Sequence, residues 1–144
     1  MGDGTILNLH RYGALRPMLY HCTAPENLAC IQQTRTLCSS AALAPDRVRV
    51  QRTAQVCVNC GRHVVALRDQ LPLRPGQVRL TGGWSWEDLI AAINARIFFW
   101  PGNQDGLHRY GRNFIDAYSS RGQRPTTLRI GFWDLARISH TIFA

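Results

Sequence analysis

The residue best placed to do chemistry is His21, which lies between a short apolar segment and the predicted start of a helix. Leu19 and Tyr20 precede it, and Thr23 and Glu26 follow it with the Thr-x-x-Glu spacing of a capping box. The N–H groups at a helix N-terminus bind polar and anionic ligands. The pattern therefore predicts a strand-to-helix junction with a candidate ligand-binding histidine, and it leaves open that Thr23 serves only as a cap.

The helix after His21 is predicted over residues 24–35. Pro25 suits its first turn, because the missing N–H of proline costs nothing there. Leu28 and Ile31 are one turn apart and would face the core. The helix is thus predicted to end near Arg35.

A second candidate is a charged pair at the end of a predicted strand. Residues 64–67 form a continuous apolar run of the kind that buried strands make. Arg68 and Asp69 follow it, and polar residues at a strand terminus are well placed to reach a site. A salt-bridged turn is the alternative interpretation of the same pair.

The clearest helical pattern covers residues 84–97. Ser85 is the predicted N-cap with Asp88 three residues on, and the apolar positions that share one face are Trp86, Leu89, Ile90, Ile93 and Ile97. An aromatic strand is predicted next, ended by Pro101 and made of Ile97, Phe98, Phe99 and Trp100. These aromatic residues suit stacking on a nucleobase beside a cleft, and they equally suit a buried strand.

The remaining chain alternates short elements with one basic segment. Strands are predicted over residues 77–80 and 127–133, and the segment 138–144 also has a strand-like pattern. A short helix is predicted with Phe114, Ile115 and Tyr118 facing inward, and a last helical turn is predicted to begin at Asp134. Residues 102–112 combine glycines with arginines and aromatic rings, which suits a phosphate backbone and stacked bases, and also an ordinary polar loop. Its charged and aromatic members are His108, Arg109, Tyr110 and Arg112.

Composition points to one cytoplasmic domain with an anionic partner. The net charge of +8 comes from seventeen basic residues, all arginine, whose planar fork fits phosphate and carboxylate. A GC-rich coding sequence would also replace lysine by arginine, so the absence of lysine alone says little. With 45% hydrophobic residues, no membrane span and no export signal, we expect residues 1–18 to be a flexible lead-in and residues 19–144 to form a single domain.

The five cysteines are expected to be reduced and to bind no metal. Cys57 and Cys60 have the two-residue spacing of a zinc-binding pair, with His63 close behind. A structural zinc site needs four ligands, and the chain offers no second pair near this one. A turn between strands with incidental thiols is the favoured interpretation.

Two sets of motifs resemble known families. The first resembles the opening motif of DarT-type DNA ADP-ribosyltransferases and consists of Tyr20, His21, Thr23, Asn27, Leu28, Ile31, Leu37 and Ser39. The second resembles uncharacterised bacterial proteins that share this opening, over about residues 19–133, and consists of Leu67-Arg68-Asp69-Gln70, Gly82-Gly83-Trp84-Ser85-Trp86-Glu87-Asp88 and Arg96-Ile97-Phe98-Phe99-Trp100-Pro101-Gly102.

The first resemblance implies an α+β fold and a dinucleotide site. The fold would be an ADP-ribosyltransferase-like split β-sheet core with flanking helices, holding nicotinamide adenine dinucleotide (NAD) as substrate and modifying a nucleic acid, DNA or RNA, or a protein. His21 would hold the nicotinamide ribose beside Tyr20, Thr23 and Asn27. Arg68 would meet the pyrophosphate or the developing charge, and the nicotinamide would be walled by Phe98, Phe99 and Trp100.

The late part of the chain departs from that family. Its members place a glutamate late in the fold to hold the ribose and help activate the acceptor, whereas this chain has only Glu26 and Glu87, both in predicted helix starts. Asp134 follows the last predicted strand too early to replace it. Two alternatives stay open: a degenerate copy lacking C-terminal strands, and a non-enzymatic nucleic-acid-binding module that uses arginines and aromatic rings.

Overall fold

The structure, a computed structural model, is an α+β fold and describes residues 3–138. Its helices are α1 (Asp3–Leu15), α2 (Leu28–Thr34), α3 (Ser40–Leu43), α4 (Trp86–Asn94), α5 (Arg109–Ser119) and α6 (Phe132–Ile138). Its strands are β1 (Met18–Thr23), β2 (Val56–Cys60), β3 (His63–Leu67), β4 (Trp100–Asn103), β5 (Gly106–Leu107) and β6 (Thr126–Gly131). None of the helices in this range combines the length and apolar character needed to span a lipid bilayer.

The chain divides into two compact units. The first combines the described residues up to Cys22 with those from Phe98 onward, and the second is Thr23–Ile97. Each unit contains its own sheet, four-stranded in the order β5-β4-β1-β6 in the first and two-stranded in the second. Nothing in the local sequence patterns indicated this division, because the first unit is assembled from segments far apart in the chain.

The first unit is built on the antiparallel pairing of β1 with β4. Met18 lies opposite Gly102 and Tyr20 opposite Trp100. Helix α5 packs closely on this sheet at Gly111, where an added Cβ would lie 2.7 Å from the Leu107 side chain. Only glycine fits such an approach. The inward face predicted for this helix is confirmed by Phe114, whose ring centroid lies 4.9 Å from that of Trp100.

Helix α1 lies within residues 1–18, where the sequence suggested only a flexible lead-in. The Tyr12 ring lies 5.4 Å from that of Phe132, and the His10 ring 5.0 Å from that of Trp133. Phe132 N–H donates to the Pro17 carbonyl at 2.9 Å. The stabilising partners are more than a hundred residues away in sequence, which is why a local pattern with several glycines did not reveal the helix.

The second unit contains the β2–β3 hairpin predicted in part from the apolar run at residues 64–67. Cys60 lies opposite His63 across a two-residue turn, and Gly61 has a φ of +60°. That conformation at the first turn position is typical of a type II′ hairpin turn, which favours glycine there. One face of the hairpin packs on a buried cluster whose members are Cys30, Ala44, Val65 and Leu67.

The predicted capping box at Thr23 and Glu26 is wrong. The chain after β1 forms a 3-10 turn at Pro25–Asn27 with no side-chain cap before α2 begins. The Thr23 hydroxyl instead accepts from the Asn27 amide at 3.0 Å. Pro25 does open the turn, as predicted. The predicted end of the helix near Arg35 is also confirmed, since Arg35 follows α2 in a left-handed conformation.

Other predicted elements hold in part. The capping box at Ser85 and Asp88 is confirmed at the start of α4, and the predicted strand over residues 127–133 corresponds to β6. The strand predicted over residues 77–80 is absent, because Pro75–Gln77 forms a 3-10 turn there. The aromatic strand begins only at Trp100 and continues through Pro101 and Gly102. The finish predicted over residues 138–144 lies outside the described residues beyond Ile138.

The Asn27 side chain ties α2 to the hairpin. Its Nδ2 donates to the Ala66 carbonyl at 2.8 Å, and its Oδ1 accepts from the Ala66 N–H at 2.8 Å. The amide thus pairs with β3 as the backbone of another strand would. Asn27 is 6% exposed and Ala66 is 6% exposed, so water cannot replace these bonds easily.

We expect Asn27→Ala to lower the free energy of unfolding by about 2–4 kcal/mol, because it leaves the buried N–H and carbonyl of Ala66 unsatisfied. Urea unfolding followed by tryptophan fluorescence measures the loss. Asn59→Ala, on the exposed side of β2, is the matched control and should change stability by less than about 0.5 kcal/mol. Equal effects of the two substitutions would contradict the role given to Asn27.

Candidate functional site

Strand β1 leaves the His21 side chain partly exposed. Leu19, Tyr20 and Cys22 are buried on either side of it, and His21 itself is intermediate. Its Nδ1 lies 2.9 Å from the Phe98 carbonyl oxygen, and its ring centroid lies 5.6 Å from that of Phe99 at 53°. All three residues belong to the first unit, so the site of His21 is formed by β1 and the segment that precedes β4.

The contact with the Phe98 carbonyl indicates that Nδ1 of the imidazole carries a hydrogen. A carbonyl oxygen only accepts hydrogen bonds, so Nδ1 must carry a hydrogen. In the neutral ring Nε2 is then the acceptor nitrogen. An imidazole in this tautomer can accept a hydrogen bond from a sugar hydroxyl, which is the chemistry expected of the residue.

The aromatic residues expected around His21 divide into two kinds. Phe98 is 51% exposed, and the half-buried Phe99 lies against the imidazole. Trp100 packs on Phe114, and the buried Tyr20 donates from its hydroxyl to the Asn103 carbonyl at 2.7 Å. Tyr20 and Trp100 therefore support the sheet, and the ring that lies beside His21 is that of Phe99.

Thr23, Asn27 and Arg68 belong to the second unit. Thr23 and Asn27 are buried and bonded to each other, and Asn27 also holds Ala66. Arg68 directly follows β3, as predicted, and its carbonyl accepts from the Arg52 Nε at 2.7 Å. The structure therefore gives Thr23 and Asn27 a supporting role within the second unit, whereas His21 belongs to the first.

Sequence reasoning missed a polar network in the second unit. Asn94 Oδ1 accepts from Arg52 Nη1 at 3.0 Å and from Gln70 Nε2 at 3.1 Å. Gln70 also pairs with the backbone of Arg52, donating its N–H to that carbonyl at 2.7 Å and accepting the Arg52 N–H on Oε1 at 2.9 Å. The sequence feature that could have indicated this network is Asn94, because its amide lies one turn after Ile90 on the buried face of α4.

The same network explains two of the sequence motifs. Gln51 accepts from the Trp86 indole N–H at 3.2 Å and donates to the Leu73 carbonyl at 2.8 Å. The segment after β3 is thus bonded to residues 51 and 52, and the start of α4 is bonded to residue 51. Asp69 is buried after β3, and its Oδ1 accepts from the Leu71 N–H at 3.0 Å.

The N-terminus of α4 is capped by charge as well as by hydrogen bonds. The Asp88 carboxylate accepts from the Ser85 N–H at 2.9 Å and from Arg49 Nη2 at 2.7 Å. These interactions, chiefly the Ser85 backbone bond, lower the pKa of Asp88 to about 2. The Asp88 carboxylate thus caps the N-terminus of α4 within the protein itself.

The basic segment at residues 102–112 is partly helical. Its first residues form the β4–β5 hairpin, and α5 begins at Arg109. Tyr110 is 76% exposed, and Arg109 and Arg112 are exposed with it. The structure thus places an exposed ring between two arginines in the first turn of α5.

The cysteines do not form a metal centre in the described range. Cys57 and Cys60 both lie on β2, rather than in a turn, and no group of three or more histidine, cysteine or acidic side chains could hold a metal ion among residues 3–138. Cys57 is exposed, whereas Cys60 packs on the buried cluster of the hairpin.

We expect Asp88→Asn to destabilise the protein in a pH-dependent way. The folded-state pKa of about 2 lies below the usual 3.8, so the unfolded chain binds the proton more readily and the contribution of Asp88 is fully present above pH 3.8. It is lost as the pH falls towards 2. The difference between the urea midpoints of wild type and variant should therefore be larger at pH 6 than at pH 3, and a difference that does not shrink on acidification would contradict this assignment.

The comparisons with known proteins give one match. No curated protein and no solved structure matches the chain. A family model described as a family of unknown function, DUF7002, matches residues 17–137. The matched range begins just before β1 and ends within α6, and it includes both polar motifs of the second unit. The chain is therefore a member of the DUF7002 family.

Proposed function

We propose that this chain is an ADP-ribosyltransferase-like protein that binds NAD through His21. The observation that supports this most is the contact between His21 Nδ1 and the Phe98 carbonyl. It leaves Nε2 as the acceptor nitrogen of the neutral ring, which suits a ribose hydroxyl donor. The resemblance of residues 20–39 to the DarT opening motif assigns the same role to this histidine.

The rings beside His21 fit the flat part of that ligand. Phe98 is 51% exposed and Phe99 lies against the imidazole. An aromatic face can stack on a nicotinamide ring, and such pairs are worth about 0.5–1.5 kcal/mol beyond area burial. The proposed site is therefore small: one hydrogen-bonding imidazole, the Phe99 ring against it and the exposed Phe98 ring, all in the first unit.

Binding and turnover are separate parts of the proposal. Cleavage of the glycosidic bond creates an oxocarbenium-like centre that a nearby carboxylate stabilises. Both glutamates, Glu26 and Glu87, are exposed residues of the second unit. We therefore assign NAD binding to His21. We propose that transfer of ADP-ribose to a cytoplasmic nucleic acid or protein acceptor requires, in addition, a carboxylate beside this site.

Calorimetric titration of NAD tests the binding claim. We expect His21→Ala to weaken binding about tenfold or more, because it removes a hydrogen bond to the ligand and the ring that orders Phe99. His63→Ala changes a partly buried histidine of the second unit and is the matched control. No heat with the wild type, or equal affinity for all three proteins, would end the proposal, and chromatographic detection of released nicotinamide would separately show turnover.

A second candidate function is nucleic-acid binding without catalysis. It is favoured by the first turn of α5, where Tyr110 is 76% exposed beside Arg109. Exposed rings stack on unpaired bases and arginines contact phosphate, so the two together suit a single strand. The net charge of +8 favours the same class of partner.

We expect Tyr110→Ala to weaken binding of a fluorescent single-stranded oligonucleotide about fivefold or more through lost stacking. Arg109→Gln should reduce the slope of log affinity against log salt by about one, because one phosphate contact is lost. Arg79→Gln, an exposed arginine of the second unit, is the control and should change neither. Affinity that is independent of salt, or unchanged in both α5 variants, would exclude this surface.

A further inference from the structure

The hydrogen-bond phase of the β2–β3 hairpin shows which backbone groups face outward. Ala66 gives both its N–H and its carbonyl to Asn27, so these groups point away from β2. Adjacent residues of a strand alternate in direction, and Val65 and Leu67 therefore point toward β2. Val58, opposite Val65, bonds inward to β3, whereas Cys57 and Asn59 direct their backbone groups to the outer edge of β2.

That outer edge has no partner in the described part of the chain. Neither Cys57 nor Asn59 makes a backbone hydrogen bond outside the hairpin among residues 3–138, and both residues are exposed. Leu43 of α3 packs against the buried cluster, together with Val56, Val58 and Cys60 from the apolar face of β2.

The edge also lacks the features that protect edge strands. Val56–Cys60 reads Val-Cys-Val-Asn-Cys, with no charged residue and no proline. Open edges in monomeric proteins are commonly protected by lysine, proline or a bulge, and an uncharged β-branched edge is a template for another strand. The strand is paired without a bulge over all five residues, so its edge is regular.

We propose that β2 pairs with β2 of a second copy of this chain, antiparallel and centred on Val58. The outward groups determine the register, because only Cys57 and Asn59 can form the bonded pairs. Cys57 then lies opposite Asn59 of the second copy, Val56 opposite Cys60, and Val58 opposite Val58. Four backbone hydrogen bonds join the copies, and the two hairpins become one four-stranded sheet.

The strand is complementary to itself in this register, which is why a second copy is the occupant. On the face that packs on the cluster, valine meets valine or cysteine. On the exposed face, the Cys57 thiol meets the Asn59 amide, and no charges of like sign face each other. All five residues of β2 find a partner, whereas a shift of two residues in either direction would leave two of the five without one.

The test is sedimentation equilibrium of the full chain from about 1 to 500 µM, with Asn59→Pro as the principal variant. Because the Asn59 N–H points away from β3, proline at this edge position leaves the hairpin ladder intact. It removes two of the four hydrogen bonds between copies, so association should weaken about tenfold or more. Circular dichroism checks that the variant stays folded.

A cross-link tests the register without depending on the proline variant. With the exposed Cys38 and Cys57 changed to serine, Val58→Cys should form a disulfide-linked dimer on mild oxidation, because residues directly opposite in a non-bonded pair have Cα atoms about 4.5 Å apart. Val64→Cys, which is 59% exposed on β3, should not. A wild type that remains monomeric at every concentration, a dimer unaffected by Asn59→Pro in a folded variant, or equal cross-linking at both positions would overturn the proposal.

Discussion

The second unit depends on keeping buried polar groups hydrogen-bonded. Asn94 is 2% exposed and Gln70 is 9% exposed, and each of their side chains bonds to the segment at Arg52. A buried polar group without a partner costs about 1–3 kcal/mol, so α4 and the segment after β3 can pack only in the arrangement that satisfies these groups. Asn27 acts in the same way on β3, where it bonds to both backbone groups of Ala66. Much of the unit is irregular chain, and these amides take the place of regular backbone pairing.

This constraint changes how the sequence motifs are understood. The segment of residues 67–70 and the tryptophan-rich segment at the start of α4 contain several polar side chains in the motifs shared with uncharacterised bacterial proteins. In the structure Gln70, Asp88 and Trp86 bond to backbone or to neighbouring side chains of the same unit. Their hydrogen-bonding capacity serves the fold. The imidazole of His21 is different, because its Nδ1 contacts the Phe98 carbonyl, which places the hydrogen on that ring nitrogen.

What could be predicted from the sequence follows the range of the interactions involved. The α4 cap is local, since Ser85 and Asp88 bond within four residues, and it was predicted correctly. The apolar run of β3 and the alternation of β6 were likewise visible. Helix α1 was missed because its aromatic contacts are with Phe132 and Trp133. The Thr23 capping box failed because the hydroxyl found a partner in Asn27, which is itself held by Ala66.

The same distinction applies to the candidate site. The position of His21 at the end of an apolar strand was predictable, whereas its contact with the Phe98 carbonyl joins residues 77 positions apart. The grouping of Arg68 with His21 rested on resemblance alone, and the structure places them in different units. The aromatic strand was predicted too early because Pro101 and Gly102 were taken as its end, although both pair with β1.

The most direct test of the account is the side-chain 15N NMR spectrum of the histidines, recorded with and without NAD. We predict that His21 is a neutral imidazole with hydrogen on Nδ1, and that the resonance of its Nε2 moves when NAD is added while that of His63 does not. A His21 ring with hydrogen on Nε2, or a spectrum that NAD leaves unchanged, would contradict the central claim that the Phe98 carbonyl prepares this histidine for a ligand.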